Sequence, residues 1–212
     1  MALAEAPPVI NHVSVTSSLD ALDELGFSLT PTKGSGGRHG RVMLDRTYLE
    51  VTLESEDSSV FGRGWFLRPP DIQAAPARLR QHGIPATDPT LYEGHDGSWL
   101  DVEMDVPALA RVLPTLTCRL HVADCWPPPL REPHPNQATG IAELHLCTHD
   151  PTALIDVLET LGGDAKDRSH VAFNGGAVVA IAAADKHPAG LAGLVVARAG
   201  KAPMYIELAA LS

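Results

Sequence analysis

Two short strands place one possible metal ligand each among other polar groups. Residues 11–16, Asn-His-Val-Ser-Val-Thr, alternate strictly, so His12, Ser14 and Thr16 share one face and Val13 and Val15 the other. Residues 47–53, Thr-Tyr-Leu-Glu-Val-Thr-Leu, repeat the pattern, with Tyr48, Glu50 and Thr52 opposite Leu49, Val51 and Leu53. If both polar faces line one concavity, His12 and Glu50 meet there. An imidazole beside a carboxylate can hold a divalent ion. Without an ion, a partly desolvated Glu50 beside His12 can act as a general base. A carboxylate on a half-buried strand needs a metal, an imidazolium, an arginine such as Arg119, or solvent in an open cup.

The elements that must position these groups follow from periodicity. Strand 10–16 is followed by a helix over 19–25, with Ser17-Ser18 as its cap, Leu19, Leu22 and Leu25 as its stripe and Gly26 as its stop. A strand over 27–30, a loop to Gly40 and a hairpin of 41–44 with 47–53 around Asp45-Arg46 complete the unit. The glycine-rich 34–37 segment is no phosphate cradle, because neither the lysine nor the helix of such sites follows it. A second pass in the same order has strand 64–68, a helix begun by residues 69–71 and stopped by Gly83, a weak strand within 84–91, and strands 98–104 and 116–122. A proline-rich connector, 126–137, precedes a third pass with strand 140–148, helix 151–161 and strand candidates at 177–182, 191–198 and 204–208. Repetition of strand, helix and three strands predicts an α+β fold of paired βαβββ modules.

The chain has 212 residues, 44% of them hydrophobic, enough for a sizeable core. Its net charge of −10, from 26 acidic and 16 basic residues, argues against nucleic-acid or anionic-membrane partners. Residues 2–8 have neither a positive leader nor an apolar core, and no stretch spans a bilayer, so a cytoplasmic protein is expected. Cys118, Cys125 and Cys147 lack Cys-x-x-Cys spacing and predict neither a disulfide framework nor a zinc ribbon.

The Asn-His-Val opening strand, Leu25-Gly26-Phe27 at the helix exit, Tyr48-Leu49-Glu50 and the His-Pro-Asn segment at 134–136 before Gly140-Ile141-Ala142-Glu143 together resemble the vicinal oxygen chelate superfamily, in its glyoxalase-like branch. The resemblance covers roughly residues 9 to 200. It implies a cupped mixed sheet of two modules over 9–125, the connector 126–137, and a further partial module over 138–212. It also implies a divalent metal, iron, manganese, nickel or zinc, on His12, Glu50 and, from the second module, His121, which shares a face with Thr117 and Arg119. The second module departs from the pattern at residues 64–66, where its first strand offers no ligand. A histidine that relatives place at the start of the third strand is matched only loosely by His39.

Two neutral nitrogens and one carboxylate suit a Lewis-acid ion with open positions. The implied function is a metal-dependent lyase, isomerase or ring-opening dioxygenase acting on a small molecule with adjacent oxygens. Tyr48 or Arg119 would orient that substrate, and Ser14, Phe66, Trp99 and Thr117 would line its pocket. The alternative is a metal-free protein of the same fold that sequesters a small molecule between Trp65, Phe66, Trp99 and Trp126. A third is an interaction protein whose extra module forms a homodimer interface. Glu143 occupies the third unit's position equivalent to His12, and its expected partner is Glu207. His145 and His149 read as surface or dimer-contact histidines.

Overall fold

The computed structural model describes residues 8–32, 38–54, 61–94, 97–122, 133–174, 176–184 and 188–208. The glycine-rich 34–37 segment, Cys125 and Trp126 lie outside these residues.

The first unit runs β1 (Val9–Ser17), α1 (Leu19–Glu24), β2 (Thr30–Pro31), β3 (His39–Met43) and β4 (Tyr48–Leu53). The second runs β5 (Phe61–Arg68), α2 (Ala75–Gln81), β6 (Thr90–Gly94), β7 (Gly97–Val102) and β8 (Thr115–Val122). They join in one eight-stranded sheet of order β2-β3-β4-β1-β5-β8-β7-β6. Each unit pairs its first and last strands in parallel, and the halves meet antiparallel at β1 and β5. The result is a mixed α+β fold with curled sheets.

Beyond the connector, β9 (Ala138–Thr148), α3 (Pro151–Thr160), β10 (Asp164–Ala165), β11 (His170–Ala172) and β12 (Val178–Ala183) repeat the order. With β13 (Gly190–Arg198) and β14 (Met204–Glu207) they form a six-stranded sheet, β10-β11-β12-β9-β13-β14. The short β10 and β11 carry too few alternating residues to be read from sequence. No helix among the described residues is long and apolar enough to cross a membrane.

Local chemistry explains the elements and three departures from expectation. The Ser18 hydroxyl accepts from the Ala21 N–H at 3.1 Å and caps α1. Residues 27–29 are not strand, as only Thr30–Pro31 pairs. Gly26, at φ +74°, turns the chain so that Phe27 drops into the core. Helix α2 begins at Ala75 rather than at 69–71, because the Asp71 carboxylate accepts from the Gln73 and Ala74 N–H groups and holds a turn there. The strand expected within 84–91 forms instead at Thr90–Gly94, where it zips onto β7.

Val13, Val15, Leu49, Val51, Leu67, Val102 and Leu116 form the buried face of the first sheet, and Leu22 of α1 and Leu79 of α2 belong to the same core. Trp65 ties the two sheets together. It is buried, donates Nε1–H to the Val112 carbonyl at 2.9 Å and meets Phe173 edge-on at 6.2 Å.

The His-Pro-Asn segment of the connector locks onto the exit of α1. The Asn136 side chain donates to the Leu25 carbonyl at 2.7 Å, and its backbone N–H donates to the Gly26 carbonyl at 3.2 Å. A Cβ on Gly26 would stand 3.0 Å from Asn136 Cβ, in a backbone conformation that L-residues adopt at a cost. Gly26→Ala is therefore expected to lower the unfolding free energy by about 1–2 kcal/mol, read from urea midpoints.

Candidate functional site

The parallel register sets the polar faces of β1 and β4 side by side, with His12 beside Tyr48 and Ser14 beside Glu50. Strand β5 brings Phe66 to the other side of His12. The imidazole is sandwiched between Tyr48 at 4.5 Å and 9°, and Phe66 at 3.9 Å and 12°. Its Nδ1 lies 3.0 Å from Asn11 Oδ1, and its Nε2 is 3.7 Å from Glu50 Oε2.

On the far side of Glu50 stands Arg41, from β3. The hairpin register pairs Arg41 with Glu50, and the guanidinium Nη2 is 3.9 Å from Glu50 Oε1. Arg41 is only 3% exposed. It also donates to Thr32 Oγ1 at 3.3 Å and sits 5.7 Å from the centre of the Tyr48 ring.

The second half of the sheet supplies Thr117 and Arg119 from β8, paired with Asp101 and Trp99 of β7. Trp99 donates Nε1–H to Asp101 Oδ2 at 3.1 Å and stacks on Tyr92. Burial pushes the Asp101 carboxyl above its ordinary range, against hydrogen bonds from Thr117 and Trp99 that lower it. The His12 pKa falls to about 3, chiefly through burial and then through the positive charges of Arg119 and Arg41. At neutral pH His12 is an uncharged imidazole facing a carboxylate, with two guanidiniums acting on it from opposite halves of the sheet.

His12, Glu50, Tyr48 and Phe66 come together. Thr117, Trp99 and Arg119 lie in the second half. Ser14 sits beside Glu50, opposite Gly64, and with Phe66 borders a cavity of about 800 Å³. His121 is exposed near the end of β8, opposite Ser98 and four residues past Thr117. Among the described residues, no group of three or more histidine, cysteine, aspartate or glutamate side chains is arranged to hold a metal ion.

The donor chemistry agrees. His12 and Glu50 are two donors, but the buried Arg41 guanidinium occupies the other side of the carboxylate, and a cation on His12 Nε2 would add a third positive charge to the two already acting there. Among the described residues, His12 and Glu50 are the two expected donors that meet, and His121 is exposed farther along β8. A guanidinium stands on the side of Glu50 away from His12.

Sequence reasoning weighed His39 and passed over its neighbour Arg41. The signal was present: a hairpin centred on Asp45-Arg46 pairs residue 41 with residue 50. His39 instead lies on the exposed end of β3, 3.4 Å from Thr52 Oγ1. In the third unit, Glu143 is paired with His145 of its own strand at 3.0 Å rather than with Glu207. Tyr205 lies edge-on to that imidazole at 5.1 Å.

The chain was compared with known proteins. Residues 12–162 match the profile of the family described as Glyoxalase-like domain. No curated protein matches the chain. Among solved structures it is similar to a hypothetical protein from Staphylococcus aureus, at TM-score 0.63 and 11% identity over 96% of this chain and 100% of that one. It is similar to the 2,3-dioxygenase LapB from Pseudomonas sp. KL28, at TM-score 0.61 and 14% identity over 91% and 76%. It is similar to the Mn(II)-bound glyoxalase from Novosphingobium aromaticivorans, at TM-score 0.57 and 13% identity over 86% and 63%. The chain thus spans under two thirds of that glyoxalase.

Proposed function

The chain belongs to the glyoxalase-like domain family of the vicinal oxygen chelate superfamily, and from that premise we propose that its cup binds a small molecule with adjacent oxygens through guanidiniums rather than a metal. The observation that carries this reading is the Arg41 guanidinium beside Glu50, with the positive charge of Arg119 also acting on His12. A carboxylate with a neighbouring carbonyl, the 2-oxo acid group, offers oxygens to both guanidiniums in charge-assisted hydrogen bonds.

The remaining residues have roles consistent with it. Tyr48 and Phe66 clamp the imidazole so that its Nε2 stays toward Glu50. Glu50 has a side chain about one-third exposed (36%) and is the group able to take a proton from the carbon next to the carbonyl. The enolate oxygen formed by that step would remain against the guanidiniums, as positive charge placed in advance stabilises charge that develops. Binding alone, without proton transfer, uses the same contacts.

A metal-dependent lyase, isomerase or dioxygenase is the second reading, favoured by the likeness of the fold to a Mn(II)-bound glyoxalase. One experiment separates the two. Protein stripped with chelator is titrated with pyruvate by calorimetry, and metal content is measured by mass spectrometry for wild type and Glu50→Ala. Binding by stripped protein, weakened about tenfold or more in Arg119→Gln, is the expected result. Pyruvate binding that appears only after manganese or iron is restored, with near-stoichiometric metal lost in Glu50→Ala, would establish the second reading instead.

A further inference from the structure

Ser14 and Phe66, neighbours of Glu50 and His12, also line a cavity that leads away from them. Strand β8 begins at Thr115, opposite Phe66, so the earlier residues of β5 have no β8 partner. The opening leads between the sheets, past Gly64 and Thr115, to Arg111, Cys147 and Tyr205, and encloses about 800 Å³. That volume is in the range of small-molecule sites and exceeds what a pyruvate-sized ligand would fill.

Two features make this space more than a gap. Gly64 faces Ser14 across the β1–β5 pair, and a Cβ placed on it would meet nothing within 4 Å. The glycine therefore leaves a hollow beside Phe66 at the point where the cup opens into the cavity. Farther along, Arg111 follows the 3₁₀ turn at Pro107–Leu109, is exposed, and makes no hydrogen bond or ion pair with any described residue. The cavity's other arginine, Arg63, is already held by Thr16 and Glu54. Arg111 is a cation at the rim whose donors meet no described residue. Glu207 lines the same cavity from β14 and disfavours an anion on that side, which directs a second negative charge toward Arg111.

We infer that the ligand is an extended dicarboxylate, with its 2-oxo acid head in the cup, its chain running through the Gly64 hollow and its second carboxylate at Arg111. The inference rests on the reading of the cup as a 2-oxo acid site. It adds the length and second charge of the ligand.

Calorimetry on the full chain with pyruvate, 2-oxoglutarate and 2-oxoadipate tests it. Wild type should bind the better dicarboxylate about tenfold more tightly than pyruvate. Arg111→Gln should remove that advantage and leave pyruvate affinity unchanged. Gly64→Leu, whose side chain enters open space, should do the same with an unchanged melting temperature. Equal affinity of wild type for all three acids would overturn the inference, as would an Arg111→Gln variant that weakens pyruvate and dicarboxylates alike. Failure of pyruvate to bind, with 2-oxoadipate binding in an Arg111-dependent way, would overturn the cup reading while supporting the role of Arg111. Binding of none would overturn both.

Discussion

Between pH 7.5 and 5, wild-type protein should lose about 2 kcal/mol of unfolding free energy that a His12→Gln variant keeps. The cause is the difference between the folded His12 pKa of about 3 and the ordinary value of 6.5. Above pH 6.5 the imidazole is neutral in both states and its burial is not penalised by charge. As pH falls below 6.5 the unfolded chain takes up a proton that the folded cup refuses, so stability drains away until the folded group also titrates near pH 3. The full effect approaches about 5 kcal/mol, and stability should fall by about 1.4 kcal/mol per pH unit within that window. The measurement is the urea midpoint against pH for both proteins. Parallel curves would show that His12 takes up its proton in the folded protein as readily as in the unfolded chain, and the buried neutral imidazole would have to be abandoned.

His134→Ala should cost about 3 kcal/mol or more of stability without touching the cup's charges. His134 is only 1% exposed, and both ring nitrogens are used. Nδ1 accepts from the Ser28 N–H at 3.0 Å, and Nε2–H donates to the Met43 carbonyl at 2.7 Å, which sets the tautomer. The ring also meets Phe27 edge-on at 5.8 Å. Truncation strands a part-buried donor and a part-buried acceptor and leaves a hole in the connector's seat. Because Met43 ends β3 and Ser28 leads into β2, the loss should loosen the hairpin that carries Arg41. Denaturant unfolding reads the loss, and a change below about 1 kcal/mol would mean that water replaces the ring at little cost.

The partner of this clamp shows what one-dimensional reading reaches. Leu25-Gly26-Phe27 and the 134–136 His-Pro-Asn segment are each recognisable in the sequence, more than a hundred residues apart. Their contact, Asn136 on Leu25 and Gly26 and His134 against Phe27, is visible only in the fold. The same holds for the site. Period-two alternation assigned His12 and Glu50 to polar faces, and Thr117 and Arg119 to a shared face of β8. It carried no information on how far along β8 the cup extends. The curl of the sheet decides that, leaving the charge of Arg119 felt at His12 and His121 exposed beyond it.

By itself, the sequence determined the order of strands and helices, the repetition of the strand-helix-three-strand unit, and the face on which each strand residue lies. These are local properties, set by side-chain alternation, helical spacing, caps and glycine stops within a few residues. The tertiary structure decided the register between distant strands, and with it the placing of Arg41 beside Glu50 on the side away from His12. It also decided the stagger of β5 and β8, which pair only at Phe66 and Leu67. Register and curl arise from packing summed over a whole sheet and its neighbour, so no single stretch of residues encodes them.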